Sequence, residues 1–193
     1  MPPIRSRPAR DRLLAAASVL FYNNGIGATG VDAISARAGV AKMSFYNNFA
    51  SKADLVATFL DLRHQEWLDL YEGRLVQATT PKERVLAVFE AYADHANCEY
   101  ERGFRGCGLL NAAAELAAGD PGRDAVRRHK EQVEAILAEH LGNLLPNRES
   151  EAARLAMHLA FLLEGSISRA GLEGNDTRVQ HARQIAAAML EAL

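Results

Sequence analysis

The 193-residue chain contains only two cysteines, Cys98 and Cys107. Two thiols cannot build a disulfide framework and are too few for a zinc cluster, so we expect a reducing cytoplasm and no metal or cofactor. No run of about 18 apolar residues occurs, which excludes a membrane-spanning helix. The basic N-terminus leads into an amphipathic pattern instead of the apolar segment of a secretion signal, so we expect no secretion.

The motifs of common enzyme classes are also absent. The chain has no His-Glu-x-x-His zinc motif, no glycine-rich phosphate loop and no Gly-x-Ser-x-Gly elbow. The only acidic residue three positions before a histidine is Asp61, before His64, so a di-iron bundle would lack its ligands. We therefore expect a binding protein and not an enzyme.

β-Branched residues are scarce. Val, Ile and Thr together supply 21 residues, whereas Ala and Leu supply 59. Because Ala and Leu favour helices and β-branched residues favour strands, this balance predicts an all-α fold. The six prolines agree with this prediction, since none interrupts a segment with helical spacing.

Charge is distributed unevenly along the chain. Residues 1–52 contain seven Lys or Arg and two acidic residues, which gives a net charge of +5, and the remainder of the chain carries −7. A basic segment on an acidic body indicates that the segment meets a polyanion while the body repels it. The alternative is a solvated basic face, and charge alone does not separate the two.

Apolar spacing, caps and turn residues predict about nine helices. The predicted helices cover about residues 9–22, 30–38, 40–49, 52 to at least 70, 81–97, 109–118, 121–141, 148–170 and 176–193. Capping boxes are expected to begin at Thr29, Ser51 and Thr80. The last helix has an apolar seam spaced by three and four residues, which predicts a dimer contact, although the seam of such a helix is often monomer core. The seam residues are Val179, Ala182, Ala186, Met189 and Leu193.

The most informative segment lies between residues 27 and 55. It combines Thr29 before a short helix, an Ala-Gly-Val turn at residues 38–40, Tyr-x-x-Phe at residues 46–49 and Ser-Lys-x-x-Leu at residues 51–55. This pattern resembles the N-terminal helix-turn-helix of the TetR family of transcriptional regulators. Clear resemblance covers residues 9 to about 60, and the rest agrees in length and helix content.

The resemblance implies two domains. Residues 1–52 would form a three-helix helix-turn-helix domain that binds DNA, and residues 53–193 a helical bundle that senses a ligand and dimerises. It further implies a homodimer on a palindromic operator, acting as a repressor that a small-molecule effector releases. The alternative is a helical interaction adaptor whose basic segment binds an acidic protein.

The third predicted helix has the two faces that a recognition helix needs. Val40, Phe45 and Phe49 can be buried on the first two helices. The outward face, which would enter the major groove, then contains Lys42, Met43, Tyr46 and Asn47.

The resemblance implies specific roles for residues of this segment. Thr29, Tyr46 and Lys52 would hold the DNA backbone, with Lys42 and Asn47 nearest the bases. The alternative is that Tyr46 only packs and that Lys52 is only solvated. The segment departs from the common family pattern at Gly30, Asn47 and Asn48, and these departures affect which bases would be preferred. Asn48 is a further candidate contact to DNA. Three arginines near the N-terminus would follow phosphates or a minor groove, or have no fixed role. They are Arg5, Arg7 and Arg10.

The resemblance also implies an effector pocket among the middle helices. Most large side chains there are equally explained as core. Two stronger candidates lie four residues apart on one predicted helix and must be solvated, paired or bound. They are Asn111 and Glu115. A further candidate, Cys107, lies between glycines and is either a reactive thiol or a packing residue. The other candidates are Trp67, Tyr71, Phe89, Tyr92, Phe104, His129 and His158.

Overall fold

The computed structural model of the chain describes residues 8–193. Within this range the chain forms nine α-helices and no β-strand, which confirms the all-α class. Arg10 lies inside the first helix, and the predicted roles of Arg5 and Arg7 fall outside the described residues. The helices are α1 (Pro8–Asn24), α2 (Val31–Ala38), α3 (Lys42–Tyr46), α4 (Lys52–Leu75), α5 (Pro81–Ala96), α6 (Gly108–Glu115), α7 (Pro121–Leu144), α8 (Glu149–Glu173) and α9 (Thr177–Glu191).

The helices form two compact units. Of the described residues, the first unit contains 8–63 together with 108–124, and the second contains His64–Cys107 and Ala125–Leu193. The structural units therefore differ from a division after residue 52, because the first half of α4 and all of α6 belong to the first unit. None of the helices within residues 8–193 has the length and apolar character needed to cross a membrane.

The first unit is organised around α1. This helix packs against α2, α3 and α6, and its buried residues include Leu13 and Phe21. The Phe21 ring meets the Phe59 ring of α4 edge to face, with centroids 5.3 Å apart. Gly39 ends α2 with φ +63°, a left-handed conformation that permits the tight turn into α3 and that side chains with a Cβ rarely adopt.

The predicted capping box at Thr29 is wrong. The residue at the N-cap of α2 is Gly30, and no side chain caps the helix. Thr29 is buried, and its hydroxyl donates a hydrogen bond to the Gly25 carbonyl oxygen at 2.6 Å. The last carbonyls of a helix lack intrahelical partners, so the end of α1 offers Thr29 an acceptor that competes with the start of α2. Thr29 therefore stabilises the turn between the two helices.

The other two predicted caps have the expected first hydrogen bond. The Ser51 hydroxyl accepts from the Asp54 amide at 3.1 Å, but the Asp54 carboxylate accepts from the Ala50 amide and not from Ser51. At the start of α5, Thr80 and Glu83 form both bonds of a capping box. The sequence signature is complete here because proline at the first helical position fixes the start of the helix.

The second unit contains a three-helix layer in which α5, α8 and α9 pack together. The predicted dimer seam of α9 contributes to this layer, because Val179, Ala182 and Ala186 are buried within the chain. The alternative explanation of that seam, monomer core, therefore holds for these three residues.

Candidate functional site

The third helix is a five-residue helix whose position is set by two aromatic rings. Phe45 and Phe49 are both buried, with ring centroids 5.8 Å apart, and the Arg10 guanidinium lies 4.9 Å from the centre of the Phe49 ring. The helix ends at Tyr46, earlier than predicted, because Asn48 turns its amide back to the Ser44 carbonyl at 2.7 Å. Burial of these rings fixes which side of the helix faces outward.

The outward side of α3 exposes large side chains. Met43 is 68% exposed and Tyr46 is 51% exposed, whereas Phe45 between them is 0% exposed. Lys42 and Asn47 are exposed on the same segment, and Val40, expected to be buried, is half-buried. This side of α3 is therefore accessible to a partner.

Lys42 forms an ion pair with Asp32 of α2, with Nζ and Oδ1 2.8 Å apart. The hydrogen bond to the Asp32 carboxylate, together with its negative charge, raises the pKa of Lys42. Both side chains are exposed, so water screens the pair and the ammonium remains free to exchange Asp32 for another anion.

The other predicted DNA-contacting residues differ in accessibility. Lys52 is half-buried at the start of α4, and Asn48 is half-buried with its amide donating to Ser44. Thr29 is buried with its hydroxyl bonded to the Gly25 carbonyl. The structure therefore does not bring the Thr29 side chain onto the outward surface that Lys42 and Tyr46 share.

Seven of the predicted effector-contacting residues are buried in the second unit, namely Trp67, Tyr71, Phe89, Tyr92, Phe104, Cys107 and His129. The Trp67 and Tyr92 rings lie 5.4 Å apart. Lys130 joins this group, since its ammonium lies 3.2 Å from the Tyr92 hydroxyl and 3.7 Å from the Cys107 sulfur. Trp67, Cys107 and Lys130 thus form a cluster of aromatic and polar groups with Tyr92.

Lys130 and its partner Glu164 were not among the predicted site residues. Nζ of Lys130 lies 2.8 Å from Oε1 of Glu164. Burial alone lowers the pKa of Lys130, but attraction to Tyr92, Cys107 and Glu164 outweighs it, so that the pKa is raised. Burial of Tyr92 raises the pKa of its phenol. The spacing of Lys130 could have predicted its position, because it lies four residues after Val126 and three before Val133, on the buried face of α7.

The remaining effector candidates are not part of this cluster. His158 is exposed on α8, and Asn111 is exposed on α6, which belongs to the first unit. Glu115 also lies in the first unit, where its carboxylate accepts from the backbone amides of Ile26 at 3.0 Å and Gly27 at 2.7 Å. Glu115 was predicted to bind a ligand, and the structure instead uses both of its oxygens to hold the loop between α1 and α2.

A second buried polar group lies beside Trp67. Nδ1 of His129 is 2.8 Å from Nδ1 of His64, and the Tyr71 hydroxyl is 2.5 Å from Nε2 of His140. The Tyr71 ring stacks on Trp67 with centroids 5.6 Å apart. Among the residues that the structure describes, Nε1 of Trp67 and Nδ1 of His140 have no hydrogen-bond partner although both atoms are buried.

Burial lowers the pKa of His129 to about 3, and the positive charge of Lys130 contributes in the same direction. Burial also lowers the pKa of His140. Both imidazoles are therefore neutral in the folded protein near pH 7, whereas an unfolded chain protonates them as the pH falls below 6.5.

The pKa of His129 predicts acid sensitivity. The unfolded chain binds a proton at His129 that the folded protein excludes. The contribution of His129 to the free energy of unfolding is therefore complete above pH 6.5 and is lost as the pH drops toward 3. The loss from His129 alone should reach about 2 kcal/mol between pH 7 and pH 5. Urea denaturation at fixed protein concentration measures it. His129→Phe should flatten this dependence, and an equal flattening by His158→Phe on the surface would refute the assignment to His129.

The two hydrogen bonds that Glu115 accepts predict a loss of stability when its carboxylate is removed. Glu115→Ala removes the acceptor for two backbone amides and should lower the free energy of unfolding by about 1 kcal/mol, while Glu115→Gln, which retains one oxygen, should lose less. Thermal or urea denaturation measures both variants. Wild-type stability in Glu115→Ala would show that water replaces the carboxylate without cost.

A short helix anchored by buried rings, preceded by a tight glycine turn and presenting an exposed face, defines a helix-turn-helix protein that binds DNA. Comparison with known proteins agrees. The family model "Bacterial regulatory proteins, tetR family" matches residues 13–58, and the model "Tetracyclin repressor-like, C-terminal domain" matches residues 81–186. The chain belongs to the TetR family, whose members are DNA-binding transcriptional regulators and not enzymes.

Two curated relatives come from Mycolicibacterium smegmatis. The HTH-type transcriptional activator FasR is 38% identical over 86 residues, which are 44% of this chain and 39% of FasR. The HTH-type transcriptional repressor KstR2 is 36% identical over 96 residues, which are 47% of this chain and 45% of KstR2. The matched segments thus span less than half the length of these relatives.

Solved structures resemble the chain over nearly its whole length. A TetR-family transcriptional regulator from Streptomyces coelicolor is 26% identical, with a TM-score of 0.81 over 96% of this chain and 93% of that one. A TetR transcriptional regulator from Chloroflexus aurantiacus has the same TM-score over 95% of this chain and 94% of that one, and its 23% identity supports the fold alone.

Proposed function

We propose that the chain is a cytoplasmic, homodimeric repressor that binds a palindromic operator through residues 1–52 and responds to a small-molecule effector through residues 53–193. The observation that carries this proposal is the outward face of α3, where Met43 and Tyr46 are exposed on either side of buried Phe45. A groove-binding helix needs such a face. Repression requires only that the bound dimer excludes other proteins from the operator.

The residues of the outward face divide into two chemical groups. Lys42 and Asn47 have the donors that read guanine and adenine edges in the major groove. The Tyr46 hydroxyl and the Lys52 ammonium suit phosphate oxygens, which fix register without reading sequence. Lys42 would exchange its exposed partner Asp32 for a base or a phosphate. An adaptor that binds an acidic protein would need the charge alone, whereas membership of a DNA-binding family favours DNA.

Dimerisation is supported by an exposed apolar face on α8 and α9. Phe161 is 64% exposed on α8 and Ile185 is exposed on α9. They border a shallow depression of about 350 Å³ that Gly165 and Ala182 also line. A large side chain beside small ones allows two copies related by a twofold axis to interlock. This face replaces the seam of α9 that is buried within the chain.

The effector site is proposed in the second unit, around Trp67 and Tyr92. Nε1 of Trp67 is buried without a hydrogen-bond partner among the described residues, and such an atom costs free energy unless a ligand or water satisfies it. An effector that prefers the arrangement in which the two DNA-binding segments misfit the operator weakens DNA binding by the ratio of its affinities for the two arrangements.

The DNA contacts predict different effects for two lysines. Lys42→Ala should weaken operator binding by about tenfold to a hundredfold and relax the preference at one base position. Lys52→Ala should weaken binding to operator and random duplex alike, and reduce the slope of affinity against salt by about one phosphate contact. Fluorescence anisotropy with both duplexes at several salt concentrations measures these quantities. Unchanged affinity of both variants for both duplexes would refute the assigned contacts.

The proposed dimer face predicts the effect of a buried charge. Phe161→Asp should leave the helical content intact and convert the dimer to a monomer, because an unpaired carboxylate cannot be buried between two copies. Val76→Asp is the matched control, since Val76 is also an exposed apolar residue but lies after α4 and does not line this depression. Sedimentation velocity measures the outcome, and a Phe161→Asp protein that remains dimeric would contradict this face.

A further inference from the structure

The first unit contains a groove that shares no lining residue with the proposed effector cluster. Its volume is about 460 Å³, which lies within the range of small-molecule sites, about 300–1,000 Å³. Three segments line it, namely the start of α4, the loop between α1 and α2, and the turn between α6 and α7. All three belong to the same compact unit.

The walls of the groove are apolar except at two positions. Ile26, Val56 and Leu116 supply apolar surface, and the polar lining residues are Lys52 and Asp120. The Asp120 carboxylate already accepts a hydrogen bond from the Gly122 amide at 2.7 Å, where it caps the start of α7. The Lys52 side chain has no hydrogen bond or ion pair with any residue in the part of the chain that the structure describes. Asp120 keeps its negative charge, but its Oδ1 atom is already bonded, and Lys52 is the one cationic lining residue and is available to an anionic ligand.

Two of the three walls are held in place by hydrogen bonds. The Ile26 amide donates to Glu115, and the Asp120 cap fixes the turn before α7. The wall is also tight at Gly122, where an added Cβ would lie 2.6 Å from Cδ1 of Leu116. A groove with fixed walls needs little reorganisation to accept a ligand, which favours affinity.

We propose that this groove binds a small apolar carboxylate, whose hydrocarbon part lies against Ile26, Val56 and Leu116 and whose carboxylate pairs with Lys52. The apolar walls select the hydrocarbon and the single unpaired ammonium selects the negative end. Volume and charge complementarity together identify this class of ligand.

The site has a consequence that rests on the proposed function. Lys52 is also the proposed contact to a DNA phosphate, and one ammonium cannot pair fully with a bound carboxylate and a phosphate at once. Occupation of the groove should therefore weaken DNA binding by removing one phosphate contact. This competition acts directly on the DNA-binding surface and requires no signal from the second unit.

Isothermal titration calorimetry with octanoate tests the site, with octanol as the neutral probe. Wild-type protein should bind one octanoate per chain. Ala57→Phe, at an exposed position of α4 that lines the groove, should abolish binding of both probes. Lys52→Gln should weaken octanoate by about tenfold and leave octanol unchanged. Ala135→Phe, at an exposed position of α7 outside the groove, should behave as wild type.

Three outcomes would overturn the proposal. They are no octanoate binding by the wild-type protein, equal binding by wild type and Ala57→Phe, and an equal effect of Lys52→Gln on octanoate and octanol. Operator affinity with and without saturating octanoate tests the competition, which should occur in wild type and not in Ala57→Phe. If wild type and Ala57→Phe bind operator equally while octanoate binds neither, the groove proposal fails and the proposed function stands.

Discussion

Burial of Phe45 and Phe49 is the constraint on which the proposed DNA-binding surface depends. A five-residue helix cannot be stabilised by its own hydrogen bonds, because helix nucleation is unfavourable and its ends are unsatisfied. The two rings therefore fix both the existence of α3 and its rotation about its axis. With Phe45 inside, Met43 and Tyr46 must face outward. Every proposed DNA contact in α3 depends on the burial of these two rings.

The polar side chains that support this arrangement act through the backbone. Thr29 holds the carbonyl of Gly25 at the end of α1, and Glu115 of α6 holds the amides of Ile26 and Gly27 in the next turn. The connection between α1 and α2 is thus bonded on both its acceptor and its donor groups. These bonds restrict the position of α2 and α3 relative to α1. Through Glu115, α6 is bonded directly to the loop that precedes α2.

Local patterns predicted the buried aromatic pair and the glycine turn of the first unit and the proline-marked cap of the second, because neighbouring residues determine all three. They failed where two partners compete, as when Thr29 bonds backward to Gly25 and leaves Gly30 at the cap. They also could not say what covers an apolar stripe. The seam of Val179 and Ala186 fits a dimer and a monomer core equally, and tertiary packing selected the core. The pairing of Lys130 with Glu164 joins side chains on two different helices, α7 and α8, and no pattern within either helix contains it.

The most direct test of the account is selection of bound fragments from random duplex DNA by the full-length protein. Two recognition helices in a symmetric dimer should enrich an inverted repeat whose half-site centres lie about 34–36 Å apart, or a multiple of that distance. Enrichment of such a repeat by wild type, and its loss in a protein with Tyr46 and Lys42 both replaced by Ala, is the predicted result. Failure to enrich any sequence, or retention of the same repeat after those replacements, would contradict the assignment of the outward face of α3.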